Sequence, residues 1–262
     1  MNNLKLITKD QKLGFCLVSV APIRIDSRDS SEIVSQLLFG EPIEVLALEE
    51  PWIKIRTIHD GYEGFVDIKH VLPLTEKEFN RWLSGFIYQK ELKQEIITPW
   101  GKQLISRGSF VSSEETFKIG SFNFTQKIII NETKKSFVEL TKELINTPYL
   151  WGGKSVFGID CSGFVQMIFR LFDLNLPRDA YQQSEIGELI EFNEIKQGDL
   201  AYFVNANGKI IHVGIIIENS QIIHASGRVR IDEFTERGIF NSDYNKETHQ
   251  LHFVKRIFNE IH

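Results

Sequence analysis

Hydrophobic and polar positions change their period several times along this chain, and each change marks a different kind of element. Between Phe15 and Pro73 short apolar runs recur with turn residues between them: F-C-L-V-S-V, I-R-I, E-P-I-E-V-L-A-L, W-I-K-I-R-T and E-G-F-V-D-I. Trp52 to Thr57 alternates residue by residue, with Ile53 and Ile55 on one face and Lys54 and Arg56 on the other, which predicts a half-buried strand. His59-Asp60-Gly61 then supplies a turn, because glycine accepts positive φ without strain. Several such strands in about 60 residues predict a small β-barrel. At residue 75 the period becomes helical. Thr75 and Glu78 form a T-x-x-E capping box, Leu74 and Phe79 are spaced as a hydrophobic staple, and Phe79, Trp82, Leu83, Phe86 and Ile87 make a packing stripe, predicting a linking helix over 75–92. Strand-like alternation around glycines returns over 93–131 and predicts a second, reduced β unit. Residues 134–147 predict a helix with Phe137, Leu140, Leu144 and Ile145 facing inward, stopped by Pro148. After Gly152, Gly153 and Gly158 a further helix starts near Cys161, with Phe164, Val165, Ile168, Phe169, Leu171 and Phe172 as its buried face.

Composition narrows the class. The 262 residues are long for one core and fit two or three small domains. An apolar fraction of 42% and a charged fraction of 25% are those of an ordinary globular protein. A formal charge of −5 argues against nucleic acid as the main partner while leaving room for local basic patches. Two cysteines are too few for a disulfide framework. No apolar run approaches the roughly 20 residues of a membrane helix. The first residues show no charged region followed by a long apolar stretch, so the chain reads as cytoplasmic, although one trimmed of a leader would read the same way.

The candidate chemistry centres on Cys161. At the first turn of a helix, unpaired backbone N–H groups and the helix dipole favour thiolate, and such positions bring a cysteine pKa down to roughly 3.5–7.5. The alternative is a small core residue, since free cysteine is among the most buried types. The histidines add a second observation. His212 opens H-V-G-I-I-I-E, His224 lies in I-I-H-A-S, and Glu218-Asn219-Ser220 between them reads as a hairpin turn. A three-residue loop sets His224 opposite Gly214 and diagonal to His212, about 7–8 Å apart at the backbone. A two-residue turn puts the two imidazoles on opposite faces. If they share a face, one can take the thiol proton while the other fixes its tautomer. The other histidines (His59, His70, His249, His252 and His262) read as solvated surface, as does the acidic cluster Asp232, Glu233 and Glu236. Cys16 reads as a core thiol and Asp199 as a turn residue. No C-x-x-C or H-E-x-x-H spacing supports a metal site, no glycine loop has a nucleotide-binding context, and no cofactor is expected.

Six motifs in order carry a resemblance: Y-x-W-G-G at 149–153, D-C-S-G-F at 160–164, L-P-R-D-A-x-x-Q at 176–183, G-D-L-x-x-F at 198–203, H-V-G-I at 212–215 and I-I-H-A-S-G at 222–227. Together they resemble the NlpC-type family of papain-like cysteine peptidases, which cut bacterial cell-wall peptides. Residues 15–73, with W-x-K-I-R-T followed by D-G-Y-E-G-F-V, resemble a bacterial SH3-like domain. The resemblance implies an α+β fold: an SH3-like β-barrel over 1–74, the linking helix over 75–92, a reduced second SH3-like unit over 93–132, and a papain-like catalytic domain of helices and antiparallel sheet over 133–262. It makes Cys161 the nucleophile, His212 the base and His224 the orienting residue. It also places Tyr149 beside the oxyanion, Asp160 and Ser162 along the substrate cleft, and Asp179 at the end holding the substrate's N-terminus. A plain helix N-cap is the alternative reading of Asp179. Glu41 and Tyr62 would close the pocket if the barrel packs over it.

The implied activity is hydrolysis of the γ-D-glutamyl–L-diamino acid bond of peptidoglycan stem peptides. Cytoplasmic relatives with this layout release L-Ala-D-Glu from peptides with a free N-terminal L-alanine. The implied partner is a small murein peptide as substrate of a monomeric protein, with no nucleic acid or membrane. Amide or acyl transfer by the same triad, cleavage of intact cell wall, and a non-catalytic wall-binding role are the competing classes.

Overall fold

In a computed structural model the described residues are 7–128, 135–218 and 220–258. The chain divides into two compact units, one of Met1–Glu132 with Trp151–Val156 and one of Thr133–Leu150 with Phe157–His262.

The first unit contains β1 (Leu13–Cys16), β2 (Val20–Arg24), β3 (Ile33–Leu38), β4 (Pro42–Glu49), β5 (Trp52–Thr57), β6 (Glu63–Asp67), β7 (Val71–Pro73), α1 (Glu76–Leu83), β8 (Ile87–Tyr88), β9 (Lys93–Thr98), β10 (Gly101–Ser106), β11 (Phe110–Val111), β12 (Thr116–Ile119), β13 (Phe122–Gln126) and β14 (Lys154–Ser155). The first seven strands form one sheet in the order β3-β2-β6-β5-β4-β1-β7. Every one of them sends a side chain into one core, including Cys16, Ile23, Leu37, Val45, Ile55, Val66 and Val71, so the sheet is curled into a barrel-like form. Cys16 is the buried core thiol expected of it. The outward residues of β5 behave as the alternation predicts: Lys54 and Arg56 both pair with Glu63 on β6, at 2.9 and 2.6 Å. Gly61 has φ +67° in the turn between them.

The capping box of α1 is formed, Thr75 Oγ1 accepting from the Glu78 N–H at 3.3 Å and Glu78 Oε2 from the Thr75 N–H at 2.9 Å. The helix ends at Leu83, well short of residue 92, and Ile87–Tyr88 pair instead with β11. Propensity and capping start this helix, but the pairing of β8 and the glycine at 85 end it. A four-stranded sheet follows in the order β10-β9-β13-β12. It shares its core with the barrel and α1: Phe15, Phe39, Leu74, Phe79, Trp82, Ile96 and Phe124 belong to one cluster.

The second unit contains α2 (Phe137–Lys142), β15 (Gly158–Ile159), α3 (Cys161–Arg170), α4 (Ala180–Gln183), β16 (Glu188–Ile190), β17 (Leu200–Val204), β18 (Ile210–Glu218), β19 (Gln221–Ser226), β20 (Arg228–Thr235), β21 (Gly238–Asn241) and β22 (Lys246–Arg256). A Ser136–Glu139 capping box starts α2. That helix is shorter than its apolar spacing predicts, so Ile145 falls out of phase and is 38% exposed, while Phe137, Leu140 and Leu144 are buried. Seven strands form a sheet in the order β16-β22-β17-β18-β19-β20-β21, and β22 also pairs with β21. That last pairing closes six of them, β17 to β22, into an antiparallel barrel. Ala201, Phe203, Ile216, Ile222, Phe234, Ile239 and Val254, drawn from all six strands, meet in one cluster and so mark its inner face. Helix α3 packs on β18 and β19. Among the described residues no helix is long and apolar enough to cross a membrane.

Candidate active site

Cys161 is the first residue of α3 and is 6% exposed. The helix start is held by Asp160, whose Oδ1 accepts from the Gly163 N–H at 2.7 Å, satisfying one of the orphan donors of the first turn. Arg178 in turn grips Asp160 with two bonds, Nη1 to Oδ1 at 3.0 Å and Nη2 to Oδ2 at 2.6 Å, and donates to Ser162 Oγ at 2.9 Å. Gln183 Nε2 donates to the Ser162 carbonyl at 3.0 Å. Thus L-P-R-D-A-x-x-Q supplies the buried support beneath the helix start, and the side chains of Asp160 and Ser162, expected along the substrate cleft, are engaged with Arg178.

The hairpin resolves the question of parity. Ile215 pairs with Ile223 and Ile216 with Ile222, but Glu218 pairs with Gln221, so the register shifts by one residue between Ile216 and Glu218. The strands therefore end two residues apart, yet the bulge restores the same-face arrangement that a three-residue loop would give. Gly214 comes opposite His224, where a Cβ would lie 3.0 Å from that of His224. His212 Nε2 and His224 Nδ1 are 2.8 Å apart, and both rings are on the inner face of the barrel with Ile216 and Ile222. Beyond them, His224 Nε2 lies 2.9 Å from Asp232 Oδ2.

Burial dominates the electrostatics. It pushes the Cys161 thiol up to about 12, aided by the Asp160 carboxylate and opposed by the backbone N–H groups of Val213 and Ser162 and by Arg178. Burial, then the positive charge that His224 or His249 would carry, hold His212 well below the usual imidazole range. At rest both groups are neutral. The thiolate expected from the helix start is thus outweighed by desolvation. Burial and the nearby charges of Cys161 and Asp160 raise the Tyr149 hydroxyl, which stays a proton donor. A buried thiol at a helix start, reached by the Val213 N–H of the strand that carries His212, whose Nε2 is tethered to His224, offers the groups for nucleophilic acyl chemistry with transfer of the thiol proton.

A model described as the NlpC/P60 family matches residues 146–249, and one described as the bacterial dipeptidyl-peptidase Sh3 domain matches 23–71. A γ-D-glutamyl-L-lysine dipeptidyl-peptidase of Bacillus cereus is 32% identical over 229 residues, covering 75% of this chain and 68% of that protein. The chain belongs to the NlpC/P60 family. A protein of the same name from Bacillus subtilis is 28% identical over 282 residues, 98% of this chain and 88% of the relative. A crystal structure of an NlpC/P60 family protein from Bacillus cereus shares the fold, with a TM-score of 0.77 at 18% identity over 94% of this chain and 99% of that one. This NlpC/P60 protein is therefore a cysteine hydrolase, with a papain-like fold and an SH3 domain.

The remaining candidates of this NlpC/P60 chain fall in several places. Asp179 takes the N-cap position of α4. Tyr62 closes the turn after β5, its N–H donating to Thr57 Oγ1 at 2.8 Å. Glu41 is fully buried; Oε1 meets Lys154 Nζ at 2.9 Å and Oε2 accepts from the Leu38 N–H at 2.9 Å, so its charge is matched inside the first unit. The surface assignments of Asp232 and His249 are overturned. Asp232 is 6% exposed on the inner face of β20, whereas Glu233 and Glu236 are exposed as expected. His249 is half-buried, its ring stacked on that of His212. The signal for Asp232 was present in the chain: His224 pairs with Arg230 across the β19–β20 hairpin, and period two then puts Asp232 on the same face. For His249, on the most distant strand, no local signal existed.

For the other histidines and Asp199 the outcomes divide. His59 packs among the rings of Phe86, Tyr88 and Phe110, at 5.4, 6.1 and 5.0 Å, and is no surface residue. His70 is half-buried, His252 is exposed, and His262 lies outside the described residues. Asp199 does sit in the turn before β17, but it is buried and paired through both oxygens with Arg256, each at 2.8 Å. Among the described residues no group of three or more His, Cys, Asp or Glu is placed to hold a metal ion.

Proposed function

We propose that this chain hydrolyses the γ-D-glutamyl–L-diamino acid bond of peptidoglycan stem peptides and releases L-Ala-D-Glu from peptides with a free N-terminal L-alanine. The observation that carries the chemistry is the 2.8 Å contact between His212 and His224 on the strand whose Val213 N–H reaches the Cys161 thiol. Cys161 Sγ attacks the γ-glutamyl carbonyl carbon as its proton passes to His212. The oxyanion takes hydrogen bonds from the Cys161 N–H and the Tyr149 hydroxyl, each donor worth about 3–4 kcal/mol. His212 returns the proton to the departing amine of the diamino acid, and water then opens the thioester with His212 as base. The bond specificity is supported by the activity named for the Bacillus relatives.

Asp179, half-buried at the start of α4, is the carboxylate assigned to the substrate ammonium. An ammonium and carboxylate desolvated together cost about 3–5 kcal/mol if one is removed, enough to reject an acylated N-terminus.

The test is mass spectrometry of L-Ala-γ-D-Glu-diaminopimelate, its lysine counterpart and the N-acetylated form of each, incubated with the chain. Free diamino acid and L-Ala-D-Glu from the unacetylated peptides alone support the proposal. Equal kcat/KM for acetylated and free peptides would replace it with an endopeptidase acting on intact wall. Products joined to an added amine, without hydrolysis, would make the chain an acyl transferase.

A further inference from the structure

The hydrogen-bond chain behind His212 does not stop at His224. His224 Nε2 faces Asp232 Oδ2 at 2.9 Å, and Arg230 holds the same carboxylate, Nε to Oδ2 at 2.7 Å and Nη2 to Oδ1 at 2.7 Å. Arg230 is itself tied to Asp243 at 2.9 Å. An ionised carboxylate only accepts, so His224 must present an N–H at Nε2. In a neutral ring its Nδ1 is then a bare acceptor. The partner 2.8 Å away, His212 Nε2, must therefore donate, which leaves the lone pair of His212 on Nδ1.

We propose that Asp232 is a positioning residue that dictates, through two successive imidazoles, which nitrogen of His212 is free to act as base. This rests on the reading of Cys161 and His212 as nucleophile and base. Without an acceptor at position 232, a buried Nε2–H on His224 would be unsatisfied, and that ring would carry its proton on Nδ1 instead. It would then donate to His212 Nε2 and move the His212 proton to Nδ1. The nitrogen available to the thiol would be blocked without any displacement of a ring. Burial works against ionisation of Asp232, but the hydrogen bonds from His224 and Arg230 outweigh it and hold its pKa below the usual carboxylate value. Burial keeps His224 mostly neutral despite that neighbour. Both directions fit the proton placement derived from the geometry.

Two measurements test this. The first is ¹⁵N NMR of histidine-labelled wild-type protein near neutral pH, which reads each tautomer whether or not any substrate is cut. The expected result is a protonated Nε2 on both His212 and His224; a protonated Nδ1 on either neutral ring overturns the proposal. The second compares Asp232→Asn with Asp232→Leu. Asparagine can still accept from His224 through its carbonyl, so it should keep the tautomers and most of kcat. Leucine should move both protons and lower kcat by roughly 10²–10⁴-fold, the range lost with a positioned base, while KM stays near the wild-type value. Equal loss in the two variants, or a folded leucine variant with full kcat, overturns the proposal. Should the leucine variant fail to fold, the wild-type and asparagine spectra decide alone. A chain that leaves γ-D-glutamyl peptides uncut but shows the expected tautomers contradicts the substrate reading and not this one.

Discussion

The imidazole of His249 lies on that of His212, with ring centroids 4.3 Å apart and planes inclined by 29°. A second cation there would oppose protonation of His212. Burial, with the charge His224 would carry, in fact holds His249 down to about 4, so it is neutral near pH 7. The unfolded chain titrates His249 near the ordinary value of about 6.5 and so binds more protons than the fold as pH falls. Stability from this residue is therefore intact above about pH 6.5 and is lost on descending toward pH 4, by about 2 kcal/mol at pH 5. Phenylalanine at 249 keeps a stacked ring and removes the titration. Urea unfolding at pH 7.5 and pH 5 should show His249→Phe losing about 2 kcal/mol less between the two pH values than wild type. Equal losses would show that His249 carries no such load.

The resting thiol gives a second pH signature. A Cys161 pKa pushed up to about 12 leaves little thiolate near neutrality. Iodoacetamide should label Cys161 more slowly at pH 7 than a free cysteine, and the rate should climb about tenfold per pH unit without levelling off below pH 10. A plateau near pH 6 would mean a thiolate–imidazolium pair at rest and would refute the neutral one.

Removing the thiol or the base should abolish hydrolysis while leaving the fold. Cys161→Ala and His212→Ala are expected to unfold cooperatively, as wild type does, with turnover at background. Measured peptidase activity in pure Cys161→Ala protein would remove Cys161 from the mechanism. His224→Gln retains a hydrogen-bonding side chain toward His212, so its kcat should fall by less than the upper end of the roughly 10²–10⁴ associated with a positioned base. A fall as deep as that of Cys161→Ala would give His224 a direct part in proton transfer.

The Lys154–Glu41 pair, 2% and 0% exposed at 2.9 Å, predicts a stability effect away from the site. Lys154→Met strands the Glu41 carboxylate in the core and should cost about 3–5 kcal/mol in chemical denaturation. Adding Glu41→Gln should restore most of it, because no unpaired charge is then buried. A single variant as stable as wild type would mean that water reaches Glu41.

Local rules in the chain account for much of this architecture. The alternation of Trp52–Thr57, the Thr75–Glu78 box, the helix opening at Cys161 and the paired runs around His212 and His224 all depend on neighbours within a few residues, where propensity and period act directly. Helix ends were less legible: α1 and α2 stop early because competing strand pairing and loss of packing end them, and neither is written in the apolar stripe.

Sequence alone determined which residues could react: a cysteine at a helix start and two histidines in one hairpin, set by spacing and side-chain chemistry. Tertiary structure decided how they are charged and what stands behind them. Pairing of β17 with both β18 and β22 brings His249 against His212, and desolvation of Cys161 where α3 packs on β18 and β19 outweighs the thiolate expected from the helix dipole. A one-residue bulge beyond Ile216 set the face of both histidines, and the curl of β20 turned Asp232 from a surface acid into the far end of their hydrogen-bond chain. Those outcomes depend on burial and on contacts between distant strands, and neither is a property of any short stretch of chain.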